Sequence, residues 1–166
     1  MERVVITGMG VVSPLGNNVD KFWRNLTEGR SGISYINTFD VSKHKTKIAG
    51  FVRGFNAEDM LGQKDARRMD RFCQFALVAA EQAWNDSNLN IKEIDLERLS
   101  VYIGSGIGGI ETLMQNIDVL RERGPQRVSP TMVPSMIANA ASAQISIKWG
   151  ALGPSMAPVS ACAIGN

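Results

Sequence analysis

Cys162 is the residue whose type and setting best suit covalent chemistry. It follows the β-prone run Val159-Ser160-Ala161 and precedes Ala163-Ile164-Gly165, which predicts a short final strand turning into a helix. A helix N-terminus favours thiolate over thiol and so raises the fraction of active nucleophile. The backbone N–H groups of such a turn can also hold the oxyanion of an acyl transfer. Spacing alone nevertheless favours a buried structural cysteine, because free cysteine is among the most buried residue types. A cysteine nucleophile also needs a base or acid, usually histidine. The single histidine, His44, lies between Lys43 and Lys45 in a hydrophilic stretch and reads as solvated loop. Catalytic partners of Cys162 are therefore expected outside this chain.

The second chemical candidate is Gly104-Ser105-Gly106-Ile107-Gly108-Gly109, which satisfies the G-x-G-x-x-G pattern of dinucleotide sites. There the glycines let a pyrophosphate approach a helix N-terminus. The pattern normally belongs to the first strand of its unit and needs an acidic residue ending the next strand. Glu122 has about the right distance but ends a helix before Gly124-Pro125, and Gly8-Met9-Gly10 is followed by Ser13-Pro14, which breaks the required helix. A structural glycine turn, or one leaving space for an apolar ligand, is the better reading. The other cysteine, Cys73, sits beside an apolar helical stripe and reads as a packed, inert thiol.

Strands are expected at residues 4–7, around 47–52, at 101–103 and at 159–161, with Gly8-Met9-Gly10 as a turn. Asn17 or Asn18 can cap a helix carrying Phe22, Trp23 and Leu26, with Gly29 ending it. Most of residues 30–68 read as irregular. Residues 70–86 form the clearest helix, with Phe72, Phe75, Ala76, Ala79, Ala80, Ala83 and Trp84 at helical spacing. Another helix spans about 110–123, and Pro134 opens a last one ending at Trp149 before Gly150. Its small residues Ala138, Ala140, Ala141, Ser142 and Ala143 suit close helix packing. Strands alternating with helices imply an α/β fold with a parallel or mixed sheet.

The 166 residues suffice for one domain with a real core, and 44% hydrophobic with 20% charged residues is ordinary globular composition. No apolar run reaches the ~20 residues of a membrane span. The N-terminus lacks the length and cleavage site of a signal peptide. A net charge of +2 does not by itself indicate nucleic acid. Basic residues cluster at Lys43, Lys45 and Lys47, at Lys64, Arg67, Arg68 and Arg71, and at Arg121, Arg123 and Arg127; they suit solvated faces or an acidic partner. Two widely separated cysteines make no disulfide framework, which fits a reducing, cytoplasmic setting.

Several short runs occur in one collinear order. They are Val4-Val5-Ile6-Thr7-Gly8-Met9-Gly10, Ser13-Pro14-Leu15-Gly16, Ser31-Gly32-Ile33, Phe39-Asp40, Phe55-Asn56 and Arg67-Arg68-Met69-Asp70-Arg71. Gly104-Ser105-Gly106-Ile107-Gly108-Gly109, Arg127-Val128-Ser129-Pro130, Val133-Pro134 and Ser160-Ala161-Cys162 complete the series. The set resembles condensing enzymes of the β-ketoacyl-acyl-carrier-protein synthase II type over essentially the whole chain. The resemblance implies a thiolase-like layered α/β/α/β/α fold of two similar halves. Residues 1–166 would be the N-terminal domain, with the C-terminal half absent, and the complete enzyme a cytoplasmic homodimer.

It implies that Cys162 accepts an acyl group from acyl-carrier protein and that malonyl-carrier protein supplies two carbons, with no cofactor or metal. The histidines that assist decarboxylation would lie in the absent half. Ile107 matches the inner end of the acyl pocket and Met132 a pocket position usually aromatic and reaching across the dimer. Lys64, Arg67, Arg68 and Arg127 match basic residues that meet the acidic carrier. Departures are Ile164, where a small Ser or Thr is usual, and Gln126, where a basic residue is usual. A polyketide ketosynthase is a close variant. A truncated or split fragment that only binds carrier or dimerises is the non-enzymatic alternative, and a chain-length factor is disfavoured because such paralogues lack the nucleophile.

Overall fold

Asn18 opens the first helix, α1 (Val19–Thr27), its side chain accepting the Lys21 N–H at 2.9 Å, in a computed structural model that describes residues 3–165. Gly29 ends it at φ +66°, with Gly29 N–H donating to Leu26 O and Arg30 N–H to Asn25 O. That double closure needs a left-handed residue, which glycine supplies without Cβ strain.

The strand expected around residues 47–52 forms, and the rest of the stretch read as irregular holds more order than its composition suggests. β1 (Ile33–Tyr35) pairs antiparallel with β2 (Ile48–Gly50), Ser34 facing Ala49. Two short helices follow, α2 (Ala57–Leu61) and α3 (Gln63–Ala66). Then comes the longest helix, α4 (Arg71–Ser87), capped by Asp70, whose carboxylate accepts the Phe72 N–H at 3.3 Å. β3 (Val101–Tyr102) leads through the glycine segment into α5 (Ile110–Arg123). The chain continues through α6 (Met132–Met136) and α7 (Ala140–Trp149), then returns as β4 (Ser155–Met156) parallel to β3.

The core lies where α7 crosses α4. Cys73 and Ala141 are each 1% exposed and pack together with Ala140, while Leu77, Val101 and Ile145 form an adjoining cluster. Ser142, also 1% exposed, donates from Oγ to Asn139 O at 3.1 Å and so buries no orphan donor. Small side chains let the two helix backbones approach closely, as the alanine-rich stretch predicts. At the far end of the contact Trp84 and Trp149 meet with ring centroids 5.4 Å apart.

Four expectations are corrected. Residues 4–7 join no ladder among the described residues, and Val4 and Ile6 are 97% and 83% exposed. Nor is Gly8-Met9-Gly10 simply a turn, because it docks the N-terminal segment on α4. Met9 N–H donates to Asp86 Oδ2 at 2.9 Å and Val11 N–H to Gln82 Oε1 at 3.2 Å, while a Cβ at Gly10 would run into Ala79 O.

The helix expected from Pro134 begins earlier and breaks at Ile137, whose ψ is 144°. The break sits where Gly109 N–H donates to Met136 O at 2.8 Å, so a carbonyl that would continue the helix is used across the fold instead. The last strand lies at 155–156, not 159–161. There Val101 N–H and Ile103 N–H reach Pro154 O and Met156 O, whereas residues 158–160 run exposed and unpaired into a 3-10 turn, Ala161–Gly165.

Candidate functional site

The parallel pairing of β3 and β4 brings two loops together at the carboxyl ends of neighbouring strands, the position where open α/β sheets place ligands. After β3 comes the glycine segment 104–109; after β4 comes the turn that carries Cys162. Cys162 is an exposed free thiol on that turn, so the buried structural reading of this cysteine does not hold. Ala161, immediately before it, has φ +49°, a left-handed conformation uncommon for a residue with a Cβ. Ala163 N–H donates to Ser160 O at 3.1 Å and closes the turn around Cys162.

The glycine segment is shaped by protein contacts. Gly108 has φ +87°, and a Cβ there would stand 2.5 Å from Met136 O. At Gly109 a Cβ would stand 2.7 Å from the Met136 Cα and 2.8 Å from Asp70 Oδ2. A Cβ at Gly104 would overlap the Ile164 side chain, while Gly106 faces open space. The N-terminus of α5 is also occupied from within: Asp70 Oδ2 accepts the Thr112 N–H at 2.8 Å. A carboxylate already satisfies the donor that a pyrophosphate would seek, which removes the physical basis of the dinucleotide reading.

Asp70 is the residue that sequence reasoning undervalued. It is 7% exposed and caps α4 with one carboxylate oxygen and α5 with the other, tying the glycine segment to the core. Its place before an apolar helical run signals the first cap; the second joins residues 42 apart and has no local signal.

Cys73 lies on the same helix, deep in the core. Burial and, secondarily, the Asp70 carboxylate push its thiol up to about 12. Such a group stays protonated and inert at neutral pH. His44 is exposed on the β1–β2 connection, edge-on to Phe39 at 5.7 Å, as its charged neighbours predict.

The remaining predicted site residues divide between two places. Ile107, 72% exposed, lies on the loop beside the Cys162 turn. Met132 instead lines a cleft of about 380 Å³ with Arg67, Arg68, Gln115, Asn116 and Thr131, a polar surface rather than an apolar tunnel. Lys64, Arg67, Arg68 and Arg127 are all exposed. Arg67 Nε approaches Glu58 Oε1 at 3.4 Å, an open pair worth little in water. Arg71, from the same basic stretch, is exposed and stacks over Phe55 and Phe75 at 5.4 and 4.8 Å. No cluster of His, Cys, Asp or Glu suited to a metal occurs among the described residues, and no helix there is long and apolar enough to cross a membrane.

Comparison with known proteins finds relatives along nearly the whole chain. The chain is 46% identical over 165 residues to 3-oxoacyl-acyl-carrier-protein synthase 2 of Synechocystis sp., covering 99% of this chain and 40% of that protein. It is 48% identical, with the same coverage, to the protein of that name from Staphylococcus aureus strain COL. The chain thus spans about 40% of the length of these relatives.

Among solved structures, the ishigamide ketosynthase/chain length factor superposes with a TM-score of 0.82 at 23% identity, over 93% of this chain and 39% of that one. A ketosynthase bound to a hexaketide and in complex with a type II polyketide acyl-carrier protein superposes at 0.75 and 23% identity, over 95% of this chain and 41% of that one. These neighbours share the thiolase-like α/β fold. The family model described as "Beta-ketoacyl synthase, N-terminal domain" matches residues 1–166, so the chain belongs to the beta-ketoacyl synthase family.

Proposed function

We propose that Cys162 is the acyl-accepting nucleophile of a fatty-acid-elongating β-ketoacyl-acyl-carrier-protein synthase, of which this chain supplies the N-terminal catalytic domain. The observation that carries the reading is an exposed thiol on a strained turn, at the carboxyl end of a parallel strand, within a chain that matches the family's N-terminal domain throughout. In the first half-reaction the Cys162 thiolate attacks the thioester carbonyl of an acyl-carrier protein. The carrier thiolate leaves and takes up a proton, and the acyl group stays on Sγ. Malonyl-carrier protein then loses carbon dioxide. The resulting carbanion attacks the acyl-cysteine carbonyl, a carbon–carbon bond forms, and the Cys162 thiolate is released beneath a product two carbons longer.

The Cys162 N–H is the natural donor to the oxyanion in both additions. The groups that assist decarboxylation belong, in this reading, to a C-terminal half beyond these residues, since the single histidine, His44, sits on the exposed β1–β2 connection. In this reading Ile107 bounds the acyl chain, and its exposed place on the loop next to the Cys162 turn supports that role. Met132 faces a polar cleft, so its acyl contact requires a second surface, supplied by the partner subunit of the proposed homodimer. Lys64, Arg67, Arg68 and Arg127 form the exposed basic face offered to an acidic carrier. Such rim charges act mainly on encounter rate. The solved neighbour captured with its own acyl-carrier protein supports a carrier partner. Identity of 46–48% to proteins named 3-oxoacyl-acyl-carrier-protein synthase 2 supports fatty-acid elongation. Two free cysteines agree with a reducing cytoplasmic setting.

Intact-mass measurement after incubating the full-length gene product with acyl-carrier protein tests the assignment. Native protein should gain one acyl group and Cys162→Ala none; equal loading of both would refute the nucleophile. Arg67→Glu should slow carrier association, most at low salt, and an unchanged rate at every ionic strength would remove Arg67 from the docking face.

A further inference from the structure

Among the described residues, the turn that presents Cys162 is fastened to the rest of the molecule chiefly by one side chain. Among residues 158–165, Ile164 alone is not exposed. Its Cγ1 and Cδ1 occupy the space where a Cβ on Gly104 would stand, and that same space is bounded by Pro158 O at 3.1 Å. Gly104 in turn follows directly on β3 and Ile103, whose N–H is held by Met156 O at 3.1 Å. Ile164 is thus a knob seated in a notch that exists because residue 104 has no side chain.

The seating matters because of what lies three residues earlier. Ala161 holds φ +49°, and a left-handed residue with a Cβ persists only where the surroundings over-determine it. The backbone hydrogen bonds of the 3-10 turn, such as Ala163 N–H to Ser160 O, run within the turn, and among the described residues none ties residues 158–165 to the core. Removing Ile164 from its notch leaves the turn free to relax Ala161 and re-aim the thiol.

We infer that Gly104 and Ile164 form a size-matched pair that positions Cys162, making Ile164 a positioning residue and Gly104 its socket. This deepens the proposed acyl-transfer reading and rests on it only for the loading assay. Gly104→Ala should overfill the notch, expel Ile164 and loosen the turn. Trimming the knob with Ile164→Ala should make room for the new methyl group.

The experiment uses the full-length gene product in four forms: native, Gly104→Ala, Ile164→Ala and the double variant. Three quantities are read: the acyl-loading rate, the pH profile of Cys162 alkylation by iodoacetamide, and amide hydrogen exchange over residues 160–165. Gly104→Ala is expected to lower loading about tenfold or more, shift the alkylation profile and raise exchange in the turn, and the double variant to recover most of the loss. Additive losses, or a Gly104→Ala protein with native exchange and profile, would overturn the pairing. If Gly104→Ala fails to fold, Ile164→Val decides: it keeps the γ carbons and should lie between native and Ile164→Ala in all three readouts, whereas indifference to both Ile164 variants would overturn the claim. Absence of loading by the native protein would refute the proposed function instead, while exchange and alkylation would still report on the pair.

Discussion

The two cysteines occupy opposite kinds of environment within one chain. Cys73 is 1% exposed between α4 and α7, enclosed by Ala140 and Ala141 and held as a thiol by burial. Cys162 stands exposed on a turn anchored by one side chain. The same residue type is core filler in one region and a candidate nucleophile in the other, and the difference is made by backbone placement. The largest expected effect follows from this. At pH 8 a thiol pushed up to about 12 is thiolate in roughly 1 molecule in 10,000, and Cys73 is shielded as well. Iodoacetamide should therefore alkylate Cys162 more than about a thousandfold faster than Cys73, as measured by peptide mass mapping over time. Comparable rates would collapse the contrast.

The contrast can be sharpened through pH. In the unfolded chain Cys73 returns towards its ordinary value of 9.0, so between there and about 12 the folded state binds more protons than the unfolded one. Stability from this group is complete below pH 9 and declines as pH rises through the folded value, by up to about 1.4 kcal/mol per pH unit. Denaturant titrations from pH 8 to 11 should show this extra alkaline loss in native protein and not in Cys73→Ala. Identical pH dependence in the two proteins would mean that the buried thiol is not held neutral.

The core could be read from the sequence far better than the site. The helical period of residues 70–86 and the alanines of residues 138–143 announce two helices that pack closely, because burial of one face leaves a regular imprint. Caps such as Asn18 and Asp70, and stops such as Gly29 and Gly150, announce themselves by local chemistry. The strands are less legible. Val4, Val5 and Ile6 have strand composition, yet a strand needs a neighbour, and none pairs with them among the described residues. For the site, position 162 was legible as a turn and through family resemblance, but its exposure was not. The glycine segment satisfied a nucleotide pattern because that pattern records where side chains are missing, not what fills the space. Here Ile164, Met136 and Asp70 fill it, through contacts between residues far apart in sequence.

Asp70 joins the two regions, since it caps α4 next to Cys73 and α5 behind the glycine segment. Asp70→Ala removes both caps at once and should destabilise the protein by about 2 kcal/mol, at roughly 1 kcal/mol per cap. Asp70→Asn retains an acceptor oxygen and should recover about half. Urea denaturation gives both values. Equal losses in the two variants would show that charge, rather than capping, is what Asp70 contributes.

The smallest effect compares one chemical change made in both places. Cys73→Ala deletes a sulfur that packs on all sides, so surrounding atoms lose contacts that cannot fully re-form, and the expected cost is about 1 kcal/mol. Cys162→Ala deletes the same atom from an exposed turn, where solvent replaces it, and stability should change by less than about 0.5 kcal/mol. Function should invert the order: Cys73→Ala keeps acyl loading near native, whereas Cys162→Ala removes it. Paired urea denaturation and intact-mass loading on the two variants measure both axes. A destabilising Cys162→Ala of 1 kcal/mol or more would mean that this sulfur packs against protein. Cys162 would then be a structural thiol after all, and the division between a sealed core and a presented nucleophile would fail at the point that defines it.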